Sequence, residues 1–449
     1  MRRRRLRDTG RSMTFSARAI SNKPWPAAWL SWSMWGIAAL FYLGVFFLRA
    51  APAVMTTELM RDFGIGAGSL GNLSAFYFYF YVAMQIPVGT LTNSWGPRKL
   101  LVCGAISSAF GAFLFGSTSN FAVACIGRAI IGGSTAVGWL VILRLASHWF
   151  PSRRFATLSG LALFFGNLGA LFAQVPLRLG VEYFGWRGTA LASAAIILGI
   201  GLLAWMIVRD DPSEKGLASY APPSLQTRDK ATAGGILKAL KGVFSFKNSW
   251  LILILQGGLG GPIMTFTGLW GAPFLKARFG LEPRAAATFC SVMIICWAVA
   301  CPLFGGISDR LGRRKPAYLG GALIATAGWV VMIYAKGLPL SIFTVIAALT
   351  SLATGCGVLG FAFGKESVPA QYMGTVTATT NMGNMLGNVL LQPGIGMLLD
   401  RHWTGTLVKG AHVYGVEAYQ AAFVLIVAWS LFSCVMILLT RETNCHQMV

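Results

Sequence analysis

Gly305-Gly306-Ile307-Ser308-Asp309-Arg310-Leu311-Gly312-Arg313-Arg314-Lys315 and Gly89-Thr90-Leu91-Thr92-Asn93-Ser94-Trp95-Gly96-Pro97-Arg98-Lys99 are two copies of one stretch, about 216 positions apart. Around them the chain keeps the same spacing: Phe63-Gly64-Ile65 recurs as Phe279-Gly280-Leu281, while Gly166, Asn167 and Pro176 recur one residue out of step as Gly383, Asn384 and Pro393. The sequence is a duplicated unit. Both copies lie in strongly apolar sequence, which points to two membrane half-bundles with a binding site at their interface.

Composition agrees. With 55% hydrophobic residues, 11% charged residues and a mean hydropathy of +0.63 over 449 residues, a soluble domain would have no means of covering its apolar surface. Apolar runs long enough to cross a core of roughly 30 Å occur at about 27–56, 69–91, 100–119, 121–146, 155–179 and 187–208. A second set lies at about 249–275, 286–308, 317–335, 340–363, 374–399 and 418–440. The expected fold is an all-α membrane protein with twelve transmembrane helices in two pseudo-symmetric six-helix bundles. Its divisions are a basic tail (1–26), a first bundle (27–208), a polar linker (209–248), a second bundle (249–440) and a short tail (441–449).

Alternating the loops between the two sides places 26 Lys and Arg on the side of the N-terminus and 9 opposite, with 2 inside helices. Positive loops stay cytoplasmic, so both termini are expected there, in a membrane expected to be a bacterial inner membrane. The net charge of +23 is then a topology signal, and nucleic-acid binding is discounted. The Arg-rich start reads as a targeting segment, a cytosolic tail, or an extension ahead of a start at Met13. Seven of the eight cysteines fall inside predicted helices without metal-type clustering, and they read as small core residues. No nucleophile with a base, phosphate-cradling loop, cofactor motif or metal site is visible, so the chain is not expected to be an enzyme.

The repeated stretch resembles the loop signature G-x-L-x-D-x-x-G-R-R that major facilitator superfamily transporters carry between helices two and three, and the resemblance covers about residues 27–440. It implies that Gly89, Gly96, Gly305 and Gly312 let helix ends approach closely, that Asp309 holds a neighbouring helix end, and that Arg98, Arg313 and Arg314 keep the loop at the cytoplasmic face. Asn93 stands where the first copy should have its aspartate. It reads either as a weakened gate or as neutral drift in a redundant latch.

An arginine at the centre of a bilayer costs roughly 2.5–3.5 kcal/mol, so intramembrane arginines mark function. Arg49 shares a helical face with Trp35 and Tyr42, and Arg128 sits at comparable depth on the antiparallel helix four. No Asp or Glu falls within the body of any predicted helix. An anionic ligand is the simplest missing partner, with a bidentate fit to carboxylate, sulfonate or phosphate. Arg128 also fits a structural role, tied to backbone carbonyls of helix one, and that reading is placed first; for Arg49 ligand contact is placed first. Polar stripes supply further candidates: Tyr77 and Tyr81 in helix two, Asn167 and Gln174 in helix five, Gln256 and Thr267 in helix seven, and Asn381, Asn384, Asn388 and Gln392 in helix eleven. Amides in hydrocarbon serve equally as interhelical glue.

Arg49 also falls where the anion:cation symporter and organophosphate branches of that superfamily carry a substrate-binding arginine. Their usual acidic positions are Leu48 and Thr135 here. Proton coupling in the family's manner is therefore in doubt. The reading is a carrier of a small organic anion working by alternating access, with the substrate and the lipid bilayer as its partners and a monomer as its state. Export of a metabolite such as a siderophore, import of an amino acid or nucleoside, and a transporter-like receptor for a phosphorylated metabolite stand as alternatives.

Overall fold

The computed structural model describes residues 23–221, 233–408 and 410–447. The Arg-rich start of the chain lies outside them. In chain order the long helices are α1 (Ala28–Val54), α2 (Ala67–Ser94), α3 (Pro97–Ser117), α4 (Phe121–Trp149), α5 (Phe155–Phe172), α6 (Val175–Ile207), α7 (Lys247–Phe279), α8 (Pro283–Leu311), α9 (Lys315–Tyr334), α10 (Leu340–Glu366), α11 (Met373–Arg401) and α12 (Val416–Leu439). Nine described stretches are long and apolar enough to cross a membrane. One of them, Ser152–Ile207, holds both α5 and α6, and its chain turns at Gly185 (φ 71°). Helices α2 and α11 have the length but are more polar, because serine, threonine, asparagine and glutamine interrupt their apolar residues. These two helices pack against each other across the seam between the bundles.

The duplication is written in the backbone as well as the sequence. Gly64 and Gly280 end the short helix Thr56–Phe63 and α7 in the left-handed conformation, and Gly96 and Gly312 precede α3 and α9 at φ 86° and 63°. A side chain at these positions would be strained.

Two faces of the molecule behave differently. At the face away from the linker, the distal face, the halves are joined. Helix α2 begins after Gly66, which offers no side-chain cap, and its first amides are orphaned. Asp400, at the end of α11 in the other half, accepts from Ala67 N (2.9 Å) and Gly68 N (2.8 Å), and Tyr414 Oη donates to the same carboxylate (2.5 Å). A negative charge at a helix N-terminus is stabilised by the amides and the dipole together. Close by, any side chain at Gly71 would run into the Gln392 carbonyl, and one at Gly396 into the Ala67 carbonyl. An ionic chain, Glu58–Arg178–Glu182–Arg284, crosses the same seam, with Arg284 on Glu182 at 2.5 Å.

At the linker face the described hydrogen bonds and ion pairs stay within one half. Asp210, just past α6, accepts from Arg98 N (2.6 Å) at the start of α3, and Glu442, just past α12, accepts from Arg314 N and Lys315 N (both 2.9 Å) at the start of α9. These are the same acidic cap made twice. Asp309 pairs with Arg314 (2.5 Å) instead of holding a neighbouring helix end, and Glu366 of α10 takes the other side of that guanidinium (2.7 Å). Gly89, Gly305 and Gly306 have nothing within 4 Å of a would-be side chain. The side chain of Asn93 lies outside the described residues. The linker is divided between the bundles. Residues up to Ala221 bond to the first half, whereas the helix Ala233–Phe244 packs Val243 against Val368 and Val376 of the second. Among the described residues, the hydrogen bonds and ion pairs that join the halves therefore lie at the distal face and at the Gln174–Thr267 contact, and those at the linker face stay within one half.

Two measurements follow from these faces. Asp400→Ala removes a charged cap worth about 1 kcal/mol, so the population open at the distal face should rise about five-fold. Electron–electron distance measurements between spin labels at Ile65 and His402 should show a growing long component, and an unchanged distribution would contradict the assignment. Asp211 receives hydrogen bonds from His148 Nδ1 (2.8 Å), Ser219 Oγ (2.6 Å) and Ser213 N (2.8 Å). Burial alone would raise its carboxyl, but these donors hold it well below the usual carboxylate range. A lowered pKa contributes stability above the ordinary value of about 3.9 and loses it as pH falls toward the folded value. Asp211→Asn should thus lower the melting temperature at pH 7 by an amount that persists to about pH 4 and shrinks below it. A gap that widened in acid would contradict this.

Candidate functional site

Arg49 lies in the last turn of the α-helical part of α1, which tightens into a 3₁₀ turn at Ala51–Val54 with Pro52 inside it. The side chain is 9% exposed. Its guanidinium carbon sits 3.9 Å from the centroid of the Phe46 ring, one turn earlier on the same helix face. Stacking covers one face of the cation and leaves its edges, which carry the donors, available. Among the described residues no side chain forms a hydrogen bond or ion pair with it.

A cavity of about 40 Å³ opens beside this guanidinium. Its wall combines both halves: Phe46, Arg49, Phe78, Asn167 and Gln174 from the first, Met264, Thr267, Ile294, Trp297 and Gln392 from the second. Phe78 and Ile294 are repeat-equivalent, 216 positions apart, and both line the cavity. No acidic residue lines it among the described residues. Gln174 occupies the break between α5 and α6 and donates Nε2 to the Thr267 carbonyl across the seam (3.0 Å). That carbonyl belongs to a π-helical turn, Phe266–Trp270, in the middle of α7. A π turn displaces carbonyls from the regular ladder and is frequent at functional sites. On the other side of the turn, Gln392 receives Trp270 Nε1 on its backbone carbonyl (3.1 Å). The Oε1 atoms of Gln174 and Gln392 are both buried without a hydrogen-bond partner.

The residues expected from the sequence divide into two sets. Arg49 and Asn167 reach the cavity, together with Gln174, Thr267 and Gln392 of the polar stripes. Arg128, Tyr42, Tyr77, Tyr81, Gln256, Asn384 and Asn388 do not line it. Arg128, 2% exposed, donates Nη1 to the Leu48 carbonyl (2.8 Å) and Nη2 to the Arg49 carbonyl (3.5 Å), with the Tyr77 ring 5.2 Å away. It ties α4 to the turn that carries Arg49. Tyr77 is buried, its hydroxyl accepting from Thr135 Oγ1 (2.9 Å) and its ring stacked on Tyr81 at 5.8 Å. Tyr42 packs on Phe46 and Trp139. Gln256 donates to the Gly357 carbonyl (3.0 Å) inside the second bundle. Asn384 faces Gly260 of α7. Asn388 accepts from Thr265 Oγ1 (3.3 Å) and from Gln392 Nε2 (3.4 Å), so it orients Gln392 from behind.

Sequence reasoning missed the apolar wall of Phe46, Phe78, Met264, Ile294 and Trp297. Hydrophobic residues in hydrocarbon carry no contrast, although the equal spacing of Phe78 and Ile294 was available as a signal.

A two-bundle helical protein with nine described stretches long and apolar enough to cross a membrane, and with a small site lined by both bundles, has the architecture of a multi-pass membrane protein. The chain belongs to the Major Facilitator Superfamily, whose family model matches residues 34–392. It is 22% identical to a protein of Cupriavidus necator named "Probable sulfoacetate transporter", over 87% of this chain and 92% of that one. It is 23% identical to the "Probable galactarate/D-glucarate transporter" of Escherichia coli K12, over 78% and 84%. In fold it is similar to a bacterial homolog of the human lysosomal transporter Spinster solved in an inward-facing, unoccupied conformation, with a TM-score of 0.76, 16% identity and coverage of 92% and 97%.

Because Arg128 satisfies two carbonyls that a single ammonium reaches poorly, Arg128→Lys should destabilise the protein by about 1–3 kcal/mol. Thermal unfolding checks this, and an unchanged melting temperature would contradict the tie.

Proposed function

We propose that this protein carries a small organic anion across the membrane by alternating access, with Arg49 as the anchor for the anionic group. The observation that carries the reading is a buried guanidinium on a cavity wall that, among the described residues, includes no carboxylate. A charge held out of water needs a partner, and the ligand supplies it. The names of the relatives, sulfoacetate and galactarate/D-glucarate transporters, support the same class. The excess of positive residues on the linker side supports cytoplasmic termini, in what we take to be a bacterial inner membrane. The conformation described is then inward-open, with the distal Asp400 cap and the Glu182–Arg284 pair as the closed outer gate.

In this cycle the anion neutralises Arg49, and the neutralised cleft crosses between states more readily than the bare one. Reopening outward breaks the Asp400 cap on α2, the Gln174–Thr267 bond and the Glu182–Arg284 pair. Closing inward brings Gly89 and Gly305, now free of contacts, against the opposite bundle. With no carboxylate among the described residues of the cavity wall, coupling runs through exchange, facilitated passage, or a proton travelling on the substrate.

In proteoliposomes loaded with the purified protein, uptake of a labelled organic anion that binds the wild type should fall at least about ten-fold in Arg49→Ala and be partly retained in Arg49→Lys, which keeps the charge but not the fork. Undiminished uptake in Arg49→Ala would sink the anchor role.

A further inference from the structure

The chemistry of the cavity wall restricts the anion beyond its charge. Arg49 is the one cation on the wall among the described residues. Arg128 packs against the same turn, but its two terminal nitrogens donate to the Leu48 and Arg49 carbonyls, and it does not line the cavity. Beyond Arg49 the wall includes Phe78, Met264, Ile294 and Trp297. Aromatic faces carry negative potential and aliphatic groups offer no donor, so the indole N–H of Trp297 is the one donor this set can bring. Two glutamines on the wall, Gln174 and Gln392, each 1% exposed, donate their amide nitrogens to the Thr267 carbonyl and to Asn388 Oδ1, while their Oε1 atoms are buried without a hydrogen-bond partner. Such an oxygen accepts from an O–H or N–H and repels a second carboxylate.

We infer that the ligand carries a single anionic group, a hydroxyl or N–H donor close to it, and an apolar or aromatic body, in contrast to the doubly charged solutes for which the relatives are named. This rests on the reading of Arg49 as an anion anchor. The anionic group meets the edge of the guanidinium, the donor meets Gln174 or Gln392, and the body lies against Trp297 and Phe78. A solute with an acid at each end would place its second charge among ring faces and amides, where no second cation among the described residues compensates it.

The test is ligand-induced thermal stabilisation and competition binding on the purified full-length protein, with mandelate and 2-hydroxyisocaproate as single-charge probes, sulfoacetate and D-glucarate as double-charge probes, and mandelamide as the uncharged control. The single-charge probes should bind at least about ten-fold more tightly than the double-charge ones, with Trp297→Ala weakening mandelate by about ten-fold and Arg49→Ala abolishing it. Tighter binding of sulfoacetate or D-glucarate, lost in Arg49→Ala, overturns the single-charge inference and leaves the anion anchor standing. Binding of mandelamide equal to mandelate and indifferent to Arg49→Ala overturns both. Absence of stabilisation by either single-charge probe up to its solubility limit also overturns the inference.

Discussion

A guanidinium held in an apolar wall, with its face against a ring and its edges unmatched, is the constraint around which this molecule is arranged. Among the described residues, the Phe46 ring stacks on the Arg49 guanidinium and no side chain bonds to its edges. Every other feature of the site serves its placement. The 3₁₀ turn that ends α1 sets where the side chain emerges, and Arg128 fixes that turn from α4 by donating to the Leu48 and Arg49 carbonyls. Tyr77 and Thr135 in turn close the pocket around Arg128. The second arginine is thus a positioning residue, one layer behind the first.

The site is coupled to the faces of the molecule through two helices that are too polar to read as plain spans. Helices α2 and α11 meet at the distal face through backbone contacts at Gly71 and Gly396 and through the Asp400 carboxylate. Helix α11 also carries Gln392 into the cavity, and α2 carries Phe78. A movement that parts their distal ends therefore moves both cavity walls. Gln174 adds a direct link, since it lines the cavity and at the same time holds the π turn of α7 across the seam. Its bond is the closest point at which occupancy and gate share a side chain.

Much of the fold was legible in the sequence, for physical reasons that are easy to name. A repeat of glycines and basic residues at a fixed spacing survives because backbone conformations at Gly64, Gly96, Gly280 and Gly312 tolerate nothing else. Hydropathy marks most spans, and amide stripes along α11 stand out against leucine. Arg49 was legible because a charge in hydrocarbon demands an explanation. What was not legible is whatever lacks contrast or depends on distance in space. The apolar side of the cavity looks like any other membrane sequence. Tyr77, Gln256 and Asn388 look like lining residues but find partners within their own bundle, and polarity alone does not tell glue from lining. The paired acidic caps of Asp210 and Glu442 escaped notice because their partners are backbone amides more than a hundred residues away.

The most direct measurement is a structure of the purified protein with its tightest-binding organic acid. The account predicts density in the interface cavity, with the oxygens of the anionic group at hydrogen-bond distance from the Arg49 guanidinium and the carbon body against Trp297. An acid bound elsewhere, or an Arg49 side chain swung toward lipid while the ligand occupies the cleft, would contradict it.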